Sequence, residues 1–143
     1  MTVILVGMPG CGKSTAGRQL ARNLGWRFVD SDAEIEHEIG GPIRGYFDQH
    51  GEDSFRAIEQ RVIERLSKPE RLVLATGGGA VLREQNRLAM TQAGNKVVYL
   101  RATPEDLARR LRHDTQRPLL QGGVPLRKLR DLFRQRDPLY REV

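Results

Sequence analysis

The chain has 143 residues, of which 38% are hydrophobic and 29% are charged, so it is long enough for one folded domain and too apolar for a disordered segment. Its formal net charge of +6 favours anionic partners, but the basic residues are scattered and form no Lys/Arg block or RNA-binding aromatic motif. We therefore expect small anionic metabolites as partners and no nucleic acid. The single cysteine, Cys11, excludes an internal disulfide and favours a reducing compartment, the cytoplasm.

The first half of the chain alternates apolar runs with helical patterns. Residues 2–6 predict a strand that is too short for a membrane span and lacks the basic leader of a signal peptide, so no membrane partner is expected. A helix is predicted next, over residues 13–24, and its buried stripe is predicted to consist of Ala16, Leu20 and Leu24. The elements predicted after it are a strand at 27–29 and helices at 33–39 and 52–66.

The second half continues this alternation until a polar segment interrupts it. The predicted elements are strands at 72–75 and 97–100 and helices at 83–93 and from Pro104 onwards. Residues 112–124 combine proline, glycine and polar residues without periodicity, which predicts a lid over an active site. A last helix is predicted from Leu126 to a stop before Asp137 and Pro138. Alternating strands and helices predict an α/β fold around a parallel sheet.

Residues 7–15 match the pattern G-x-x-x-x-G-K-[ST], after the first predicted strand and at the start of the first helix. This context is typical of a phosphate loop, whose backbone N–H groups and helix N-terminus surround the phosphates of a nucleotide. In such a loop Lys13 reaches the β- and γ-phosphates, and the Ser14 hydroxyl binds Mg²⁺. The alternative, a glycine-rich turn that happens to precede a helix, is much less favoured. The loop residues expected at ATP are Gly10, Cys11, Gly12, Lys13, Ser14 and Thr15.

Two further clusters follow predicted strands. Asp30 and Asp32 come at the end of the second strand, at the same sheet edge as the phosphate loop if the strands are parallel. Two carboxylates at this spacing suit one position near Mg²⁺ and one on a substrate hydroxyl, although an aspartate that caps the next helix explains them equally well. The triple glycine at residues 77–79 ends the third strand and exposes backbone amides to a substrate, or is a simple turn.

Three arginines stand out because of their neighbours. Arg56 lies beside the apolar stripe of the 52–66 helix, and Glu59 follows three residues later, where it can hold the guanidinium. Arg117 begins an Arg-Pro-Leu-Leu run in the predicted lid, and Arg136 begins an Arg-Asp-Pro-Leu-Tyr run near the end of the chain. Taken singly, each of these arginines would be interpreted as a solvated surface residue.

Taken together, these residues resemble the shikimate kinase family, a member of the nucleoside-monophosphate-kinase group of P-loop proteins. The resemblance runs in register from Met1 to Val143, and the set of Asp-Ser-Asp, Phe-Arg and triple glycine is more specific than the phosphate loop alone. It implies a single domain with a three-layer P-loop fold, with a substrate-binding helical region over residues 32–66 and the lid over 112–124. It also implies an ATP- and Mg²⁺-dependent kinase that phosphorylates the 3-hydroxyl of shikimate.

The resemblance assigns the acceptor side of the site as follows. Asp32 holds ring hydroxyls and accepts or orients the proton of the attacking hydroxyl. Arg56 and Arg136 bind the shikimate carboxylate, and Phe47 and Phe55 correspond to walls of the pocket. The backbone positions expected beside the substrate are Gly77, Gly78 and Gly79.

On the ATP side, the resemblance implies that Asp30 binds Mg²⁺ through water, together with Ser14. Arg110 corresponds to the arginine that lies against adenine, and Arg117 closes over the phosphates from the lid. The residues with catalytic roles are then Lys13, Asp32 and Arg117. Phosphoryl transfer depends mainly on positioning and charge neutralisation, which these groups and the metal supply.

The sequence departs from the family pattern after the segment that ends in Tyr140. Family members usually continue through a fifth strand, a loop that packs on adenine and a final helix, whereas this sequence stops at Val143. We therefore expect the phosphate contacts to be kept and the affinity for ATP to be reduced relative to a chain extended by that strand and helix.

Two other functions remain as alternatives. Another small-molecule kinase of the same fold, such as a gluconate kinase, would share the phosphate loop and lid without needing the Asp-Ser-Asp, Arg56 and triple-glycine set. A non-catalytic module that keeps the fold would be marked by loss of Lys13, Asp32 or Arg117, and none of these is lost. We expect a monomeric enzyme.

Overall fold

The computed structural model describes residues 1–68, 70–111 and 126–143 and contains a parallel sheet. Its strands are β1 (Thr2–Val6), β2 (Arg27–Asp30), β3 (Leu72–Ala75) and β4 (Asn95–Tyr99). They lie in the order β2-β3-β1-β4, and Val3 of β1 pairs with Val73 of β3 and Lys96 of β4. Because every strand runs in the same direction, the segments that follow β1, β2 and β3 meet at one edge of the sheet.

Helices cover both faces of this sheet. On one face Val3, Leu5 and Val73 pack against the first helix, and on the other Ile4 and Leu74 join a larger core with the remaining helices. This alternation of side chains in buried strands produces three layers, which confirms the predicted α/β fold class. The helices are α1 (Lys13–Leu24), α2 (Ser31–Ile39), α3 (Ile43–His50), α4 (Glu52–Leu66), α5 (Glu84–Met90), α6 (Pro104–Leu111) and α7 (Leu126–Glu142), with a 3₁₀ turn at Ala80–Leu82.

Helix α1 has the predicted bounds but a different buried face. The predicted stripe is wrong, because Ala16 and Leu24 are exposed while Gly17 and Ala21 are buried. The smallest side chains face the sheet because the backbone of α1 lies very close to it. A Cβ at Gly17 would lie 2.6 Å from Cε1 of Phe28, so the close approach requires glycine.

Helix α7 continues through Pro138 to Glu142, so the predicted stop before Asp137 is wrong. A proline inside a helix removes one backbone hydrogen bond and crowds the preceding turn. Side chains on both sides of this proline are anchored elsewhere in the fold. Asp137 accepts a hydrogen bond from the Tyr99 hydroxyl at 2.7 Å, and Tyr140 is fully buried. These contacts offset the cost of Pro138 and hold α7 against the sheet.

Other differences concern exposed elements. The sequence analysis missed α3, a helix of eight residues in which no residue is fully buried, because Gly45 interrupts it and its apolar stripe of Ile43, Tyr46 and Phe47 is short. The helix predicted at 83–93 is shorter, and β4 begins two residues earlier than predicted, at Asn95. Within the described residues β4 is an edge strand, and the side chains of β4 alternate between exposed and half-buried.

None of the helices in the described ranges is both long and apolar enough to cross a membrane. The predicted lid at 112–124, with Arg117, lies outside the described residues.

Candidate active site

The segment between β1 and α1 has the backbone of a phosphate loop. Gly10 and Gly12 have φ values of 84° and 95°, a left-handed conformation that glycine adopts without strain. Gly12 precedes the first turn of α1, and no side chain caps that turn. The N–H groups at the start of α1 are therefore not used by a capping side chain, and the positive end of the helix dipole points into the loop.

Lys13 lies inside this loop and is almost completely buried. Its Nζ donates hydrogen bonds to the carbonyl oxygens of Gly7, at 2.6 Å, and Met8, at 3.0 Å. These contacts keep the ammonium group within the curve of the backbone. Because a buried cation attracts anions more strongly than one in water, the loop is suited to phosphate groups.

Ser14 and Asp30 form an oxygen pair next to the loop. The Ser14 hydroxyl donates to Oδ2 of Asp30 at 2.9 Å, while Oδ1 of Asp30 accepts from the backbone N–H of Asp32, also at 2.9 Å. Asp30 therefore caps α2 with one oxygen and presents the other to Ser14, and its role at Mg²⁺ stays a prediction. Oxygen ligands in small number suit Mg²⁺, which is usually bound by one or two protein oxygens together with substrate phosphates. Within the described ranges no group of three or more His, Cys, Asp or Glu residues could hold a metal.

Asp32 lies in the first turn of α2, directly after β2. Burial raises the pKa of Asp32 to about 6. The carboxylates of Asp30 and Glu59 act in the same direction, and the Lys13 ammonium opposes them. The Asp32 carboxylate rests against the backbone of Gly77, where a Cβ would lie 2.6 Å from Oδ1. Asp32 is thus a carboxylate of raised basicity within the electrostatic reach of the phosphate loop.

Arg56 is fixed by a buried carboxylate. Its guanidinium donates to Oε1 of Glu59 at 2.7 Å, and the Glu59 side chain is only 1% exposed. The guanidinium also lies over the ring of Phe55, with its central carbon 5.0 Å from the ring centroid. The ring of Phe47 packs in turn against Phe55, with ring centroids 5.8 Å apart. This arrangement gives the guanidinium a fixed orientation.

Arg136 approaches the same carboxylate from α7. Burial raises the pKa of Glu59, and the guanidinium groups of Arg56, Arg136 and Arg83 oppose that effect. Among the described residues, the buried Nε of Arg136 has no hydrogen-bond partner. A buried donor without a partner is costly, so this nitrogen is well suited to an incoming anion. Two arginines beside one buried glutamate can together bind a carboxylate.

The triple-glycine turn touches each part of the site. Besides the contact of Gly77 with Asp32, a Cβ at Gly78 would lie 2.6 Å from Cδ of Pro9 in the phosphate loop. A Cβ at Gly79 would collide with the guanidinium of Arg56. The absence of side chains in this turn therefore allows the phosphate loop, Asp32 and Arg56 to converge.

Two residues that the sequence reading did not single out also belong to this region. The Tyr140 hydroxyl donates to the carbonyl oxygen of Gly78 at 2.6 Å, and Arg83 contributes positive charge near Glu59. Tyr140 ends the Arg-Asp-Pro-Leu-Tyr run, one helical turn after Arg136, so its spacing in the sequence was a usable signal. Arg83 follows the apolar 3₁₀ turn Ala80–Leu82 and carries no such signal.

Arg110 lies on the phosphate loop. Its guanidinium donates to the carbonyl oxygen of Cys11 at 3.0 Å and comes close to Gly12. Arg110 is therefore placed beside the nucleotide site, whereas Arg117 is outside the described residues.

Comparison with known proteins gives consistent results. A family model described as shikimate kinase matches residues 9–143. A shikimate kinase of Paracidovorax citrulli is 55% identical over 147 aligned positions, which cover 100% of this chain and 79% of that protein. The solved structure of shikimate kinase from Acinetobacter baumannii in complex with shikimate superposes with a TM-score of 0.90 at 48% identity, covering 99% of this chain and 78% of the other. A gluconokinase from Sinorhizobium meliloti, at 22% identity and a TM-score of 0.54, covers 99% of this chain and 96% of its own and shares the fold alone.

Proposed function

This chain belongs to the shikimate kinase family, and from that premise we propose that its site transfers the γ-phosphoryl group of ATP to the 3-hydroxyl of shikimate. The main support for the proposal is the triple-glycine turn, where the nucleotide side and the acceptor side of the site meet. There the phosphate loop meets Asp32 and a pair of arginines, one of which keeps a buried Nε without a described partner. A nucleotide site joined to a carboxylate site suits a kinase for a small hydroxy acid.

The phosphate loop is the site proposed for the triphosphate. Its backbone N–H groups, the N-terminus of α1 and Lys13 neutralise the charge on the β- and γ-phosphates. Binding requires the Lys13 Nζ to exchange its contacts with the Gly7 and Met8 carbonyl oxygens for phosphate oxygens. Arg110, on the Cys11 carbonyl, is proposed to lie along the nucleotide, and Arg117 stays a predicted phosphate ligand from the lid.

The Ser14 hydroxyl and the Oδ2 atom of Asp30 are the groups proposed to hold Mg²⁺, Asp30 through water. When bound with ATP, the ion supplies positive charge against the phosphate oxygens. The hydrogen bond between Ser14 and Asp30 keeps both oxygens at the end of the loop. Asp30 is also fixed from behind, because its other oxygen caps α2.

Arg56 and Arg136 are proposed to bind the carboxylate of shikimate, with the amides at residues 77–79 beside it. Glu59 fixes the first of these guanidinium groups and attracts the second. Fixed arginines bind a carboxylate with defined orientation, so the ring is held with its hydroxyls on the side of Asp32. A neutral analogue without the carboxylate would lose these contacts, would leave the buried Nε of Arg136 without a described partner, and would bind poorly.

Asp32 is proposed to orient the 3-hydroxyl and accept its proton. In the transfer the hydroxyl oxygen bonds to the γ-phosphorus, the bond from that phosphorus to the β,γ-bridging oxygen breaks, and ADP leaves. The hydroxyl proton moves to an Asp32 carboxylate oxygen. The raised pKa of Asp32 makes it a better proton acceptor than an exposed aspartate.

We propose a monomeric enzyme. The sole cysteine is free and buried, as expected in a reducing compartment, so we infer a cytoplasmic location. We retain small anionic substrates as the partners and propose no role in nucleic-acid binding.

The proposal is tested by following ADP release from the purified chain with ATP and Mg²⁺. Shikimate is added or omitted, and gluconate and the cyclohexene triol that lacks the carboxylate serve as matched controls. We expect release to depend on shikimate and to be negligible with either control. Release that is equal with gluconate, or unaffected by shikimate, would refute the proposed function.

A further inference from the structure

Tyr140 is a buried polar side chain to which the proposed reaction gives no role. Its side chain is 1% exposed, and its hydroxyl donates to the carbonyl oxygen of Gly78 at 2.6 Å. Gly78 is the middle residue of the triple-glycine turn and lies against Pro9 of the phosphate loop. The hydroxyl therefore joins α7 directly to the backbone on which both halves of the site meet.

The same hydroxyl is linked to Arg136. The two residues are four apart on α7, so their side chains share one face of the helix. Because of this spacing, the Arg136 guanidinium lies near the Tyr140 hydroxyl and acts on it electrostatically. Burial raises the pKa of Tyr140 to about 12, although Arg136 opposes this effect, so the hydroxyl keeps its proton and can donate to Gly78 at neutral pH.

We propose that Tyr140 is a positioning residue for the acceptor carboxylate, because its hydroxyl is bonded to the carbonyl oxygen of Gly78 and it shares one face of α7 with Arg136. The bond fixes this turn of α7, and with it Arg136, relative to the triple-glycine turn. This inference rests on the proposed function, since it assigns Tyr140 to the carboxylate side of that site.

The surroundings of Arg136 explain why such a contact is needed. Pro138 has no N–H to donate to the carbonyl oxygen of Arg134, so side-chain contacts help to hold this part of α7. Asp137 is held from the other side by the Tyr99 hydroxyl. Only Tyr140 connects this turn to the triple glycine among the described hydrogen bonds.

The chain offers a matched pair of variants for the test. Tyr140 and Tyr99 stack on each other with ring centroids 4.9 Å apart, and each donates one short hydrogen bond from its hydroxyl. Tyr140→Phe removes the bond to Gly78, whereas Tyr99→Phe removes a bond to Asp137, which keeps hydrogen bonds from Arg101 and Arg141. Both changes leave the ring packing in place.

Steady-state kinetics with ATP and shikimate are measured for both variants and the unchanged chain, after melting curves have shown that each variant is folded. Tyr140→Phe is expected to raise KM for shikimate about tenfold, because Arg136 is no longer held relative to the triple-glycine turn, while KM for ATP and kcat change less than about threefold. Tyr99→Phe is expected to leave all three constants within about twofold of the unchanged chain.

A double-mutant cycle keeps the test specific. In an Arg136→Ala background, Tyr140→Phe is expected to raise KM for shikimate by less than about threefold, because the guanidinium that Tyr140 positions is then absent. An unchanged shikimate KM in Tyr140→Phe, an equal rise in the KM for ATP, or the same effect in Tyr99→Phe would overturn the role of Tyr140 alone. If the chain without substitutions shows no shikimate-dependent turnover, the proposed function is refuted, and this inference is refuted with it.

Discussion

Replacement of Gly79 by alanine tests how the triple-glycine turn organises the site. Gly79 has φ −94° and ψ 5°, a conformation open to alanine, so the change introduces little backbone strain. The new methyl group would collide with the guanidinium of Arg56. That guanidinium cannot simply rotate away, because Glu59, which is almost fully buried, holds it at 2.7 Å. The substitution therefore displaces Arg56 and weakens its contact with Glu59.

The size of the effect follows from these contacts. A hydrogen bond to a charged group contributes about 1.5–3 kcal/mol, so displacement of Arg56 should raise KM for shikimate by roughly 10- to 100-fold. KM for ATP should change little, because the three atoms nearest to the added methyl group all belong to Arg56. Gly77→Ala should act differently, since its methyl group would displace the Asp32 carboxylate. A shift of about 1 Å in a catalytic group lowers kcat by about 100-fold.

The assay is steady-state kinetics with each substrate varied in turn. Gly45→Ala is the matched control, because a Cβ at Gly45 would meet no atom within 4 Å and Gly45 lies inside the exposed helix α3. It should leave both KM values unchanged and raise the melting temperature slightly, since alanine favours a helix more than glycine does. The reasoning is refuted if Gly79→Ala and Gly77→Ala alter the same kinetic constant, or if Gly79→Ala behaves like Gly45→Ala.

Three further predictions concern the remaining groups. Lys13→Ala should lower kcat/KM by several powers of ten, because a well-placed charge on the transferring phosphoryl group contributes about 3–5 kcal/mol, and near-normal turnover would exclude the phosphate-loop assignment. Arg56→Ala should weaken shikimate binding by about 2–5 kcal/mol in calorimetry while ATP binding is kept, and an equal loss for both ligands would contradict its assignment. EDTA should abolish turnover reversibly, and Ser14→Ala should raise the Mg²⁺ concentration needed for half-maximal rate; activity that persists in EDTA would argue against a metal at Ser14 and Asp30.

Local signals in the sequence were sufficient for much of the fold. The bounds of β1 and α1 were predicted correctly. Gly12 and Gly25 mark the two ends of α1 in the sequence, and both adopt the left-handed conformation that glycine favours. The predicted stop of α7 before Asp137 was wrong because distant contacts outweigh a local signal. Proline opposes a helix locally, but the burial of Tyr140 and the bond between Asp137 and Tyr99 favour it, and these contacts join residues far apart in the sequence.

The site was predicted only in part from the residues themselves. The phosphate loop follows from its own pattern, whereas the roles of Asp32, Arg56 and Arg136 came from a family resemblance and stay predictions. Spacing could not show that Gly77 and Gly79 touch two different functional groups, because that depends on how β3 meets α2 and α4. Nor could it show that the carboxylate side depends on Tyr140.

The central claim is that this site phosphorylates one hydroxyl of shikimate, and phosphorus NMR of the reaction product tests it most directly. Purified chain is incubated with ATP, Mg²⁺ and shikimate, and the phosphorus–proton coupling identifies the carbon that bears the new phosphate. We expect a single new phosphate monoester, coupled to the proton at carbon 3, formed together with an equal amount of ADP. A phosphate at another carbon, or ADP formed together with inorganic phosphate and no ester, would contradict the claim.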